Sequence, residues 1–205
     1  MLKQAVLKIM ARLTKRQVSS WASKPVETQK KQLGFLIKSA LKTSFGQAHS
    51  FSKINNYEDF KNHVPVRDYE DLSEYFEQIK EGKENVLWPG KPLYLAVTSG
   101  TTSGSKYIPI TKQSLPNHLN GAKTALLMYV AETGKVDFVN GKFIFVQGSP
   151  VLSKISGILT GRLSGISAHH VPFFMKKNML PSWSTNIIEE WENKIEGIVK
   201  ETIEE

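Results

Sequence analysis

The sequence predicts an α/β fold in which a helical N-terminal segment leads into a strand–loop–strand unit. Three observations carry this. As far as Gly82, apolar residues recur mostly at helical spacing, whereas Leu93-Tyr94-Leu95-Ala96-Val97 and Tyr107-Ile108-Pro109-Ile110 are short runs of extended type. Between those runs every residue from Thr98 to Ser105 is glycine or carries a hydroxyl, and Lys106 follows. Helical spacing then returns from Ser114 to Ala131, ahead of another short apolar run at Phe143-Ile144-Phe145-Val146.

In chain order, Leu2, Ala5, Val6, Ile9, Met10 and Leu13 fall on one helical face, with Lys3, Lys8, Arg12, Lys15 and Arg16 around the rest. Three readings of this basic helix stay open: a helix packed on the body of the protein, a membrane-surface helix, or an acid-poor transit peptide. A second helix is expected from Val26 to Ala40, its stripe being Leu33, Leu36, Ile37 and Ala40. It should end at Thr43-Ser44-Phe45-Gly46, with Gly46 as the left-handed residue after the helix. Asn56 caps a turn through Phe60, and Val64-Pro65 forces extension. Asp68 is expected to cap a helix through Tyr69, Leu72, Tyr75, Phe76 and Ile79, closed by Gly82. Asn85-Val86-Leu87-Trp88-Pro89-Gly90 reads as the turn into the first strand.

After the loop, Ser114 to Ala131 is a helix with Leu115, Leu119, Ala122, Leu126, Tyr129 and Val130 apolar, and Gly134 ends it. Phe143 to Val146 reads as a strand of buried type. Gly157, Gly161 and Gly165 mark either close helix packing or a loop. His169 and His170, adjacent in what reads as a strand, point to opposite faces, and no third ligand at metal-site spacing accompanies them, so no metal centre is expected. Pro172-Phe173-Phe174 reads as core. Thr185 to Glu205 reads as an amphipathic helix with Ile187, Ile188, Trp191, Ile195, Ile198 and Val199 on one side and Asn186 with Glu189 as a capping pair. Its end is unusual, since Glu201, Glu204 and Glu205 sit at the negative pole of the helix dipole with no glycine or proline stop.

Composition narrows the function classes. A chain of 205 residues that is 40% hydrophobic can bury a core, yet no apolar run approaches the roughly 20 residues needed to cross a bilayer. There is no cysteine, which excludes disulfide and thiolate chemistry and fits a reducing compartment, so a cytoplasmic location is expected. The net charge of +8 is uneven: residues 1–50 hold ten Lys/Arg and one acid, Glu27, while the remainder hold seventeen Lys/Arg and eighteen acids. A nucleic-acid-binding face, which would spread basic residues with aromatics among them, is therefore not expected for the molecule as a whole.

The run Thr98-Ser99-Gly100-Thr101-Thr102-Ser103-Gly104-Ser105-Lys106 carries the chemistry. Glycines let backbone N–H groups approach an anion, hydroxyls add donors, and lysine adds positive charge. A Walker A loop is spaced differently and opens a helix; here Gly100-x3-Gly104-x-Lys106 lies between two strands. The residues point to a hairpin loop able to close over phosphates, or to a solvent-facing linker, which Gly/Ser-rich segments often are.

Extended to Tyr107-Ile108-Pro109-Ile110-Thr111, this run resembles the first ATP-phosphate motif of the acyl-adenylate-forming superfamily. Within it the sequence is most similar to the auxin-responsive acyl-acid amido synthetase family, with Thr98 where that family commonly has serine. Thr43-Ser44-Phe45-Gly46, Tyr57-Glu58-Asp59-Phe60, Val64-Pro65-Val66-Arg67-Asp68-Tyr69 and Asn85-Val86-Leu87-Trp88-Pro89 are similar to the family in order and spacing.

The resemblance implies the start of an acyl-adenylate-forming enzyme's large domain over residues 1–205, expected to be incomplete. The later adenine and ribose motifs and the mobile C-terminal domain are not among these residues, so the chain is expected to be inactive alone. It implies ATP with Mg²⁺, a small carboxylic acid and an amino acid as substrates. Thr98, Ser99, Gly100, Thr101, Thr102, Ser103, Gly104 and Lys106 would bind the ATP phosphates. Asn117 and His118 would border the acyl-acid pocket, at a place where plant members often carry arginine; for His118 a solvated polar face is the plainer reading. An acyl-CoA ligase, sharing the first step, and a non-catalytic remnant or binding module are the alternatives.

Overall fold

The computed structural model describes residues 2–98 and 104–203. It is a mixed helix and sheet structure built on a four-stranded sheet in the order β2-β1-β5-β4, with the strands at Tyr94–Thr98 (β1), Lys106–Ile110 (β2), Ser153–Ile155 (β4) and Ile158–Arg162 (β5). β1 is antiparallel to β2 and parallel to β5, and β4 and β5 form an antiparallel hairpin. Parallel neighbours need a long crossover, and here it includes the helix α6 (Leu115–Thr133). A separate parallel pair joins β3 (Phe143–Ile144) to β6 (Met179–Leu180).

Five helices precede the sheet: α1 (Leu2–Ala22), α2 (Pro25–Ala40), α3 (Ser44–Ala48), α4 (Tyr57–His63) and α5 (Ser73–Lys80). After β5 come α7 (Leu163–His169), α8 (Phe173–Lys176), α9 (Trp183–Asn186) and α10 (Trp191–Ile203). Both faces of the sheet are covered. On one, Leu95 and Ile158 pack with Ile79 of α5 and Val86; on the other, Ala96 and Ile110 pack with Leu115 of α6 and Ile166 of α7. No helix among the described residues is long and apolar enough to cross a membrane.

Several local expectations hold. Asn56 caps α4 through its side-chain oxygen, which accepts from the Asp59 N–H at 3.0 Å. Gly82 and Gly134 close α5 and α6 in the left-handed region, at φ 91° and 69°. The strand-to-helix corner after β2 is a reciprocal pair: Thr111 N–H donates to Ser114 Oγ at 2.9 Å and Ser114 N–H to Thr111 Oγ1 at 3.0 Å.

Others are corrected. α1 is longer than the apolar stripe suggested and is turned over: Ala11, 1% exposed, is its buried residue and packs with Leu7 against Leu127 and Val130 of α6, while Leu2, Val6, Ile9 and Leu13 face outward. Gly46 is no left-handed stop. It lies within α3, capped by Thr43 Oγ1, where a Cβ would stand 2.1 Å from the Ala40 carbonyl oxygen. Asp68 caps a turn, accepting from the Asp71 N–H at 2.8 Å, and α5 starts only at Ser73.

Downstream, Ile144, Phe145 and Val146 are exposed, and the strand expected at 143–146 is limited to two residues. Of the glycines expected in a close-packed helix or a loop, Gly165 lies in the helix α7, whereas Gly161 is in the strand β5. His169 and His170 end that helix rather than sit in a strand, and Phe173 is 77% exposed rather than core. The last helix begins at Trp191, and Asn186 donates to the Pro181 carbonyl at 3.0 Å rather than pairing with Glu189. Of the apolar stripe expected on one side, Ile187, Trp191, Ile195 and Val199 are exposed and Ile188 and Ile198 half-buried; Lys194 is the buried residue of α10.

The carboxylate near the end of α10 has its reason in these contacts. Glu201 reaches back to α9, accepting from the Ser182 N–H at 2.6 Å and from the Ser182 and Thr185 hydroxyls. Burial alone would raise its pKa, but these hydrogen bonds outweigh it and hold the carboxyl below its ordinary 4.5. A depressed carboxylate stabilises the fold above its unfolded value and loses that contribution as pH falls through the folded one. Glu201→Gln is expected to cost about 2 kcal/mol at neutral pH by urea unfolding. The difference from the parent should shrink steadily once pH drops below 4.5. Gly46→Ala should cost about 2 kcal/mol or more in the same assay, since the clash is with backbone.

Candidate functional site

The hairpin of β1 and β2 defines the site. Register pairs Thr98 with Lys106, so the segment between them leaves and re-enters the sheet at neighbouring positions. Of the residues singled out in the sequence, Ser99, Gly100, Thr101, Thr102 and Ser103 lie outside the described residues. Thr98 ends β1 exposed, and Gly104 is exposed at φ 86° with open space where a Cβ would be. A positive φ with nothing crowding it leaves the backbone there free to face a ligand.

Lys106 is half-buried, and its place is set by the turn before α5. Its Nζ lies 3.4 Å from a Glu70 carboxylate oxygen and 5.0 Å from the centre of the Tyr69 ring. Tyr69 stacks on Phe76 of α5 at 4.4 Å, and its phenol oxygen accepts from the Tyr107 N–H at 2.9 Å. β2 is an edge strand, and this contact satisfies one of its outward N–H groups. The Val64-to-Tyr69 block thus holds the lysine-bearing edge of the hairpin.

Asn117 and His118 are exposed in the first turn of α6, whose Leu115 and Leu119 pack beside Ile110. Four residues of strand, about 14 Å, separate Ile110 from Lys106, so these two side chains are not beside the loop.

One further cation comes to the loop's end of the sheet through register alone. Arg162 ends β5 in line with Val97, one residue short of Thr98. Near it Lys194 is buried, its Nζ donating to the Asn186 carbonyl at 2.8 Å; burial lowers its pKa, and the Arg162 charge adds to the effect. No sequence motif marked either residue. The histidines take separate partners, His169 Nε2 against the Pro150 carbonyl at 2.7 Å and His170 Nε2 against the Tyr94 hydroxyl at 3.0 Å. A cavity of about 20 Å³ lined by Trp88, Gly90 and, from the Ile110 end of β2, Pro109 has room for little more than a water.

Against known proteins, the profile of the GH3 family N-terminal domain matches residues 14–194. The chain is 35% identical over 65 residues to the indole-3-acetic acid-amido synthetase GH3.15 of Arabidopsis thaliana, covering 31% of this chain and 11% of that protein. It is 25% identical over 122 residues to the jasmonoyl–L-amino acid synthetase JAR6 of Nicotiana attenuata, covering 58% of this chain and 20% of that one. Among solved structures, the AtGH3.15 acyl acid amido synthetase in complex with 2,4-DB superposes with a TM-score of 0.70 at 18% identity, over 82% of this chain and 29% of its own. A second GH3.15 acyl acid amido synthetase structure gives 0.64 at 19% identity, over 89% and 31%. The chain therefore shares their fold and spans under a third of their length.

Tyr69→Phe removes the acceptor of the Tyr107 N–H and keeps the ring stack. It is expected to cost about 1 kcal/mol and to speed amide exchange at Tyr107 roughly fivefold. Unchanged protection at that amide would mean the phenol oxygen does not hold the strand.

Proposed function

The chain belongs to the GH3 family through its N-terminal domain, and on that premise we propose that it carries the phosphate-binding part of an ATP-dependent acyl acid amido synthetase. The observation that supports this most is the hairpin itself. A hydroxyl-and-glycine run joins Thr98 to Lys106, which are paired across the two strands, and β1 is buried from both faces. An exposed positive-φ glycine and a lysine at one mouth suit a triphosphate.

In this reading residues 1–205 belong to the large domain. The substrates are ATP, a small carboxylic acid of the kind named for the relatives, and an amino acid. The acid's carboxylate oxygen attacks the α-phosphorus, the bond to the bridging oxygen breaks, and pyrophosphate leaves with that electron pair. The amine nitrogen then attacks the acyl carbon, AMP leaves with the acyl-oxygen bonding pair, and the nitrogen gives up a proton. Neither step needs a protein nucleophile, so this chain's work is alignment and charge stabilisation.

Ser99, Thr101, Thr102 and Ser103 would donate to β- and γ-phosphate oxygens. Gly100 and Gly104 would admit the phosphates close to the backbone, and Lys106 would exchange Glu70 for them. Mg²⁺ would serve as counter-ion to the phosphates rather than occupy a protein cage. Asn117 and His118, exposed in the first turn of α6, would border the acyl-acid pocket, as the family resemblance implies. A cytoplasmic location, where ATP and free amino acids are at hand, goes with this reading.

The test is acid-dependent ATP–pyrophosphate exchange by an enzyme that contains this chain. Thr101→Ala with Thr102→Ala should lower the exchange rate tenfold or more, about 1.4 kcal/mol in the barrier. Lys106→Ala should weaken binding of ATP·Mg²⁺ in a thermal-shift titration. Exchange that is unaltered in the double variant removes the loop from the reaction.

A further inference from the structure

We propose that the outward face of α1 is a docking surface for anionic lipid membranes. The helix is held to the protein along one stripe only, Leu7 and Ala11 against α6, with Lys15 paired to Glu132 at 3.0 Å on the same helix. Leu2 lies nine residues from Ala11, about two and a half turns, and therefore on the opposite side. There Leu2, Val6, Ile9 and Leu13 form an apolar stripe that is 80%, 47%, 57% and 57% exposed. Lys8, Arg12 and Arg16 are exposed along one border of the stripe.

Charge decides which occupant this face suits. Among the described residues, only Lys15 and Lys24 of the ten cations in residues 1–50 have a carboxylate within ion-pair distance, Glu132 and Glu27. Lys30, Lys31, Lys38 and Lys42, which follow in and just after α2, are exposed as well. An apolar stripe bordered by uncompensated cations matches a layer of acidic headgroups over acyl chains. The stripe also precedes residue 14, where the match to the family profile begins.

The test is co-sedimentation of the 205-residue chain with phosphatidylcholine vesicles containing about one third phosphatidylserine, against vesicles of phosphatidylcholine alone. Binding is expected with the anionic vesicles only, and about 0.5 M salt should release it. Ile9→Asp with Leu13→Asp leaves the α6-facing stripe intact and should lower the bound fraction about tenfold with the circular dichroism spectrum and melting unchanged. Arg12→Gln with Arg16→Gln should weaken binding similarly. The proposal is overturned if anionic vesicles do not bind, or if the aspartate variant binds as well as the parent. It is equally overturned if light scattering shows a dimer that the aspartate variant dissolves, since a second copy would then occupy the stripe.

Discussion

Everything at the candidate site depends on β1 being gripped from both faces. Leu95 and Ala96 are consecutive, so their side chains point to opposite sides of the sheet, yet they are 1% and 2% exposed. One is sealed by α5 and Ile158, the other by α6 and α7. Slipping the strand by one residue would exchange the two faces and bring Tyr94 or Val97 into spaces shaped for their neighbours. The position of Thr98 is therefore set by packing well behind it. The pairing of Thr98 with Lys106 passes that constraint to the other side of the hairpin. The two ends of the glycine-and-hydroxyl run, Thr98 and Lys106, are thus fixed from outside it.

What the sequence disclosed follows from this division between local and distant causes. The Asn56 cap and the Gly134 stop were legible because each is settled by residues within a turn of one another, and the hairpin because its two short extended runs flank one glycine-and-hydroxyl segment. The orientation of α1 was not, because Leu7 and Ala11 face inward only by virtue of α6, more than a hundred residues on. The same holds for α10, where the long side chain of Lys194 goes inward to the Asn186 carbonyl while Trp191, Ile195 and Val199 are exposed. β4 was missed although a signal existed. Ser156-Gly157 has φ of 47° and 79°, the two positive values of a type I′ hairpin turn, and Ser-Gly between two short runs is such a cue. At the site, Lys106 was legible as a cation but not its Glu70 partner, and Arg162 carried no motif at all because strand register alone brings it there.

Of the three glycines that read ambiguously in the sequence, Gly157 is a turn residue, and Gly161 and Gly165 are places where backbone meets backbone or a large side chain. A Cβ on Gly165 would stand 2.3 Å from the Ser149 carbonyl oxygen, and one on Gly161 would stand 2.6 Å from a Leu152 methyl. The segment from Ser149 to Leu152 thus lies directly against β5 and the start of α7. Gly148 is in the same contact, its N–H donating to Ser164 Oγ at 3.1 Å. Close approach here fixes the end of β5 as firmly as α5 and α6 fix β1, and Arg162 sits at that end.

The pairing of Lys106 with Glu70 fits an anion-binding role better than a free lysine would. Glu70 is half exposed, and an ion pair in that position contributes little net stability. It keeps the ammonium aimed along the Tyr69 ring without a deep well to climb out of. On the proposed reading, a phosphate chain would offer more negative charge than one carboxylate and several acceptor oxygens, and Lys106 would exchange Glu70 for it. The bond from the Tyr107 N–H to the Tyr69 phenol oxygen would not be broken by that exchange, so the strand would stay where it is. A rigid edge with one weakly held cation is an arrangement in which binding energy goes to orienting the ligand rather than to ordering the protein.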